Sequence, residues 1–99
     1  MTSETASTLR AAMRGVVDAG TATAMFIDGL ETGGKTGTAQ LGTAVPSSHA
    51  WTIGFSGEPG QPPSIAVAVI VEAQPGASEQ TGGQVAAPIV RSVIEAALR

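Results

Sequence analysis

Between residues 33 and 72, three stretches with strand character are separated by two spacers, 42–48 and 57–63, both rich in Gly, Pro and Ser. Spacers of that length join antiparallel neighbours but cannot hold the crossover helix that a parallel pair requires. The spacing predicts an antiparallel sheet built from strands over about 33–41, 49–56 and 64–72. In the second stretch Trp51, Ile53 and Phe55 share one face, and Thr52, Gly54 and Ser56 the other. Bulk places the aromatic face in the core. In the third stretch Ile65, Val67, Val69 and Val71 oppose Ala66, Ala68 and Ile70. Both of its faces are apolar, so cover is expected on both sides, with one helix approaching closely over the alanines.

Helical patterns flank these strands. Leu9, Met13, Val16 and Val17 recur at i, i+4, i+7 and i+8, predicting a helix over about 4–19 with Ser3 as N-cap and Gly20 as its stop. A connector follows, then a short apolar run over 25–27 ended by the turn pair Asp28-Gly29. Residues 74–83 read as a loop. Beyond it Val85, Ile89, Val90, Val93, Ile94 and Leu98 form the apolar side of a second helix over about 84–98. Arg91, Glu95 and Arg99 are spaced to pair on its polar side, and Pro88 must lie near the first turn to avoid a kink. The expected fold is α+β in the order α-β-β-β-α, a three-stranded antiparallel sheet flanked by helices, one on each face.

Composition narrows the function classes. Ninety-nine residues with 42% apolar content allow one small core, and with only one Trp and two Phe that core must be thin and closely spaced. The net charge of −3 and five scattered basic residues exclude a nucleic-acid footprint. The absence of cysteine excludes disulfide and thiol chemistry. Residues 1–10 are polar and do not read as a signal peptide, and the apolar run 65–71 is too short to span a bilayer. That run is also uncharged, so as a sheet edge it is expected to promote self-association.

The chemistry concentrates in Lys35-Thr36-Gly37-Thr38, which puts one ammonium, two hydroxyls and a bare glycine backbone on one short stretch. That set suits binding a carboxylate while a neighbouring carbonyl is attacked. Taken alone, Lys35 also fits an exposed lysine guarding a sheet edge. A rival pattern uses the same lysine: Gly29-Leu30-Glu31-Thr32-Gly33-Gly34-Lys35-Thr36 matches the phosphate-binding P-loop. A P-loop needs a helix to begin at its lysine, whereas the residues that follow are rich in Gly and Thr with no helical stripe. A strand running through Gln40 would exclude it. His49 reads as a hydrogen-bonded residue at a strand start, Trp51 and Phe55 as core, and Ser47-Ser48 as loop. Gln40 is a candidate substrate contact, although strand polar residues usually just face solvent. Asp18, Glu31 and Glu72 are too dispersed for a metal site, and no cofactor is expected.

The order of several stretches carries a resemblance. Met13-Arg14-Gly15-Val16-Val17, then Gly20-Thr21-Ala22, then Gly34-Lys35-Thr36-Gly37-Thr38-Ala39-Gln40 are followed by His49-Ala50-Trp51-Thr52-Ile53-Gly54-Phe55 and Ala86-Ala87-Pro88-Ile89. In this the chain resembles the C-terminal part of the transpeptidase domain of class B penicillin-binding proteins. K-T-G is the third motif of such penicillin-recognising enzymes, after S-x-x-K and S-x-N.

The resemblance implies a D,D-transpeptidase that cross-links peptidoglycan stem peptides and is acylated by β-lactams. It also implies a parent protein anchored by a membrane helix, with its catalytic domain outside the cytoplasm. Lys35 would hold anions and support proton transfer at the nucleophile, and the Thr36 and Thr38 hydroxyls would hold the ligand carboxylate. The Thr38 N–H would give half the oxyanion hole. Gly37 would let the peptide lie along the strand. The front motifs are missing: Lys35 is the only lysine and asparagine is absent. The chain therefore reads as the back of a domain, expected to be inactive alone and to need the missing N-terminal part as partner. A further reading is a non-catalytic fragment that acts only by pairing with a partner chain.

Overall fold

The computed structural model describes residues 1–41, 47–73 and 81–98. Helix α1 spans Ser3–Ala19 and strand β1 Glu31–Leu41, with a one-turn 3-10 helix at Thr23–Met25 between them. Strands β2, Ser47–Gly57, and β3, Ile65–Val71, follow. A π-helical turn, Gly82–Ala86, then leads into helix α2, Ala87–Leu98. The sheet order is β1-β2-β3 with both pairs antiparallel, as the short spacers require.

Local signals account for most boundaries. The helix begins one residue earlier than Ser3 would cap it: Thr2 is extended, and its hydroxyl accepts the Thr5 N–H at 3.1 Å. Gly20 ends α1, its N–H bonded to the Val16 carbonyl at 3.0 Å. Gly29, with φ of 85°, supplies the left-handed residue that the Asp28-Gly29 turn needs. Ser47 and Ser48 belong to β2, not to the loop before it; the core of that loop, residues 42–46, lies outside the described residues, as does most of the loop over 74–83. Pro88 is the second residue of α2 but the seventh of the continuous helical run that starts at Gly82, so it follows the π-helical turn and, contrary to expectation, does not open the first turn. Arg91 and Glu95 pair at 2.9 Å, and Arg99 lies outside the described residues.

The core lies against the opposite face of β2 from the one that bulk suggests. Thr52, Gly54 and Ser56 are buried, whereas Trp51 and Phe55 are half-buried and Ile53 is exposed. The inner face is built from small residues. Gly34 of β1 and Gly54 of β2 are direct cross-strand partners, and the fully buried Met25 lies across both. Val90 of α2 reaches the same spot over Gly54. Inner-face hydroxyls are tolerated because each has a partner: Thr32 with Ser56 at 2.9 Å, and Thr52 donating to the Gly82 carbonyl at 3.0 Å.

Both helices feed this one core instead of covering a face each. Val17 of α1 joins Met25, Ile27, Val90 and Ile94, and the Ile65, Val67 and Val69 side of β3 packs against them. The close approach therefore uses Ala86 and Ala87, where the π-helical turn passes into α2, both fully buried, and not the strand alanines. Ala66 and Ala68 are exposed, and Ile70 is 69% exposed.

Two glycines separate packing from helix propensity. A Cβ at Gly54 would strike the Met25 methyl and press on Val90, while one at Gly15 of α1 meets nothing within 4 Å. Gly54→Ala should therefore lower unfolding free energy by about 1–3 kcal/mol, and Gly15→Ala should raise it by about 0.5–1 kcal/mol. Equilibrium unfolding followed by circular dichroism checks both; equal effects from the two would contradict the packing described.

Candidate functional site

Strand β1 is an edge strand, with β2 on one side and no strand on the other among the described residues. Side chains alternate along it, so the register divides the Lys35–Thr38 set between two faces. Thr36 pairs with Thr52 and Thr38 with Ala50, which puts both hydroxyl residues on the inner face. Lys35 pairs with Ile53 and Gly37 with Trp51, on the outer face. What the sequence packs into four consecutive positions therefore straddles the sheet, meeting only at the free edge.

On the outer face Lys35 is exposed, and its ammonium donates to the Thr36 carbonyl at 2.6 Å. One of three N–H donors is used there, with no other bond among the described residues. Gly37 has a second duty that the pattern did not show. A Cβ on it would overlap the Trp51 indole, which occupies that space. Phe55 covers Gly33 in the same way. The aromatic residues are thus seated on glycines of the outer face and are not the core residues that their bulk suggested.

On the inner face a cleft of about 470 Å³ opens beside Thr36 and Thr38, its other walls coming from Thr21, Thr23 and residues 81–84. Thr36 is nearly buried, 8% exposed, and its hydroxyl lies 2.6 Å from that of Thr21. Thr38 is exposed to the cleft. Gly82 closes the floor: a Cβ there would meet the Gly37 backbone and the Trp51 carbonyl. Gly37 is therefore held between the indole on one side and Gly82 on the other. Sequence spacing missed Thr21, Thr81 and Gly82, which reach the site from distant segments. Gly20-Thr21-Ala22 stood out only as a family motif.

The other candidates fall outside this arrangement. His49 Nδ1 accepts the Ala73 N–H at 2.9 Å, as expected for a structural histidine at a strand start. The Gln40 side chain lies outside the described residues. Among the described residues no group of three or more acidic or histidine side chains is placed to hold a metal. The P-loop reading is excluded, because Lys35 lies inside a strand that continues to Leu41 and no helix begins there.

An edge strand carrying Lys-Thr-Gly, two further strands in antiparallel order and helices packed against them give the α+β arrangement expected of a transpeptidase-type domain. The structure matches penicillin-binding protein A from M. tuberculosis, solved as an imipenem acyl-enzyme complex, with a TM-score of 0.74 and 41% identity. The match covers 100% of this chain and 20% of that one. The penicillin binding protein transpeptidase domain model matches residues 1–95, and the chain belongs to that family. Among similar proteins is the peptidoglycan D,D-transpeptidase PbpA of Mycobacterium tuberculosis (strain ATCC 25618 / H37Rv), 49% identical over 75 residues, or 74% of this chain. Stage V sporulation protein D of Bacillus subtilis (strain 168) is 40% identical over 99 residues, or 96% of this chain. The chain spans 15% of the length of each of these two relatives.

The indole seat is directly testable, because Trp51 is the only tryptophan. Gly37→Ala should push the ring off the strand, costing about 1–3 kcal/mol, and shift Trp emission to longer wavelength. Unchanged emission with unchanged stability would mean that the space over Gly37 is not filled by Trp51.

Proposed function

We propose that this chain is the C-terminal segment of a D,D-transpeptidase domain that cross-links peptidoglycan and binds penicillin, and that it supplies the anion-binding edge strand. The observation that carries the proposal is the placement of Lys-Thr-Gly-Thr on a free strand edge, with hydroxyls opening into a cleft on one side and the ammonium on the other. A ligand lying along that edge reaches both sets. The β-lactam acyl-enzyme structures of the related penicillin-binding protein A support it.

The roles follow from the chemistry of each group. Thr36 and Thr38 donate hydroxyl hydrogen bonds to the ligand carboxylate. Lys35 adds the charge that makes such contacts strong and steadies the negative charge that develops during attack. The Thr38 N–H forms half of the oxyanion hole, and the main chain at Gly37 lies on the edge for a stem peptide to pair along it. The nucleophile comes from the part of the domain carrying S-x-x-K and S-x-N; this chain, with its single lysine and no asparagine, holds neither. The complete protein works on the outer side of the cell membrane. No described helix here is long and apolar enough to cross a membrane.

Lys35→Ala in the complete domain tests the assignment. Charge-assisted hydrogen bonds contribute about 1.5–3 kcal/mol each, and 1.4 kcal/mol is about tenfold in rate. Second-order acylation by a β-lactam should therefore fall by about 10–100-fold, with the melting temperature held because the side chain is exposed. Thr36→Val should lose less, since the charge remains. Parental acylation by Lys35→Ala would reduce the lysine to an edge-strand charge.

The same reading has a consequence for the chain alone. Strand β3 carries no charged residue, has β2 as its one strand neighbour among the described residues, and leaves Ile70 exposed on its outer face. Such an edge pairs with other chains, so the isolated chain should form dimers or larger species. Light scattering that finds a monodisperse monomer would refute this.

A further inference from the structure

We propose that Thr21 is a positioning residue for Thr36, holding that hydroxyl with its proton turned toward the anion bound at the edge strand. The inference rests on the reading of Thr36 as a carboxylate contact. Its basis is the 2.6 Å separation of the two hydroxyl oxygens, which requires one to donate to the other.

Each hydroxyl has one proton and two acceptor lone pairs. When Thr36 donates to Thr21, its only proton points away from the ligand. When Thr21 donates to Thr36, the Thr36 proton is released to the cleft and its O–H bond is polarised by the incoming hydrogen bond. A bound carboxylate accepts only from the second arrangement, so Thr21 becomes the donor whenever the cleft holds an anion. Thr36 is nearly buried and cannot rely on bulk water to play this part, whereas Thr21 is exposed.

The fold holds Thr21 in place from several directions. The Gly20 and Ala22 N–H groups both bond to the Val16 carbonyl, at 3.0 and 3.2 Å, fixing the turn before and after it. Gly83 lies directly against the Thr21 carbonyl, where a Cβ would not fit. A hydroxyl held this way just beyond α1 is within hydrogen-bond distance of Thr36 on β1.

The experiment uses the complete domain and two probes, a penicillin with its free carboxylate and the methyl ester of the same penicillin. Thr21→Val should weaken pre-acylation binding of the acid by about three- to tenfold, the loss of one neutral hydrogen bond. The ester should be little affected, and the acylation step itself should keep its rate. Thr21→Ser should restore the acid, because it returns the hydroxyl. In a Thr36→Val background, Thr21→Val should add no further loss. Equal losses for acid and ester, no rescue by serine, or additive losses in the double variant would each overturn the proposal. The underlying reading is judged separately by Thr36→Val alone. If that variant does not distinguish acid from ester, the carboxylate assignment fails; if it does while Thr21→Val does not, only the positioning role fails. Thr21→Val leaves the nearly buried Thr36 hydroxyl without its partner, so a modest fall in melting temperature is expected. The acid-to-ester comparison is unaffected by it, and Thr21→Ala provides a second variant without the added methyl group.

Discussion

Met25 lying across Gly34 and Gly54 is the contact on which the rest of this structure depends. Two glycines facing each other across neighbouring strands leave a bare patch of backbone, and a thioether, unbranched and flexible, fills it. With Met25 seated there, the 3-10 turn that carries it is fixed, and α2 can bring Val90 onto the same patch. That choice settles which sheet face is inside. Once the glycine and threonine face is inner, Trp51, Ile53 and Phe55 have to be outer, whatever their hydrophobicity.

The same polarity shapes the site. Because Gly34 faces inward, Lys35 faces outward, Thr36 inward and Gly37 outward, by simple alternation. The hydroxyls then open onto the segments after α1 and before α2, which approach closely because Gly82 and Gly83 have no side chains. The ammonium stands apart on the other face. Under the function proposed here, the ligand is gripped from both sides of one strand edge, so small rotations of β1 would trade one grip against the other. The Trp51 ring and Gly82, pressed on Gly37 from either side, resist that rotation.

Much of this was legible in the residues, and the part that was not has a definite cause. Spacer lengths gave antiparallel order, and helical spacing gave both helices to within a few residues, because those signals are local. The core face was misread because alternation reports that two faces differ, not which one is buried. Bulk argued for the aromatics, while a pair of glycines, uninformative singly, decided the matter through a methionine placed nine residues or more away in sequence. Lys-Thr-Gly was recognisable as chemistry, and the strand rules out the P-loop sharing its lysine. The division of its groups between faces follows from alternation alone. The cleft walls did not, since Thr21 and Thr81 are joined to β1 only by the fold.

The outer face differs from the inner one in what it leaves exposed. A sheet face carrying Ile53, Ala66, Ala68 and Ile70 in the open departs from the usual segregation of bulky side chains. The inner face, by contrast, is filled, with its buried hydroxyls paired. One face is covered and the other is exposed, and Lys35 stands on the exposed one. Its ammonium donates to the Thr36 carbonyl, and under the function proposed here the nucleophile would have to approach from that side.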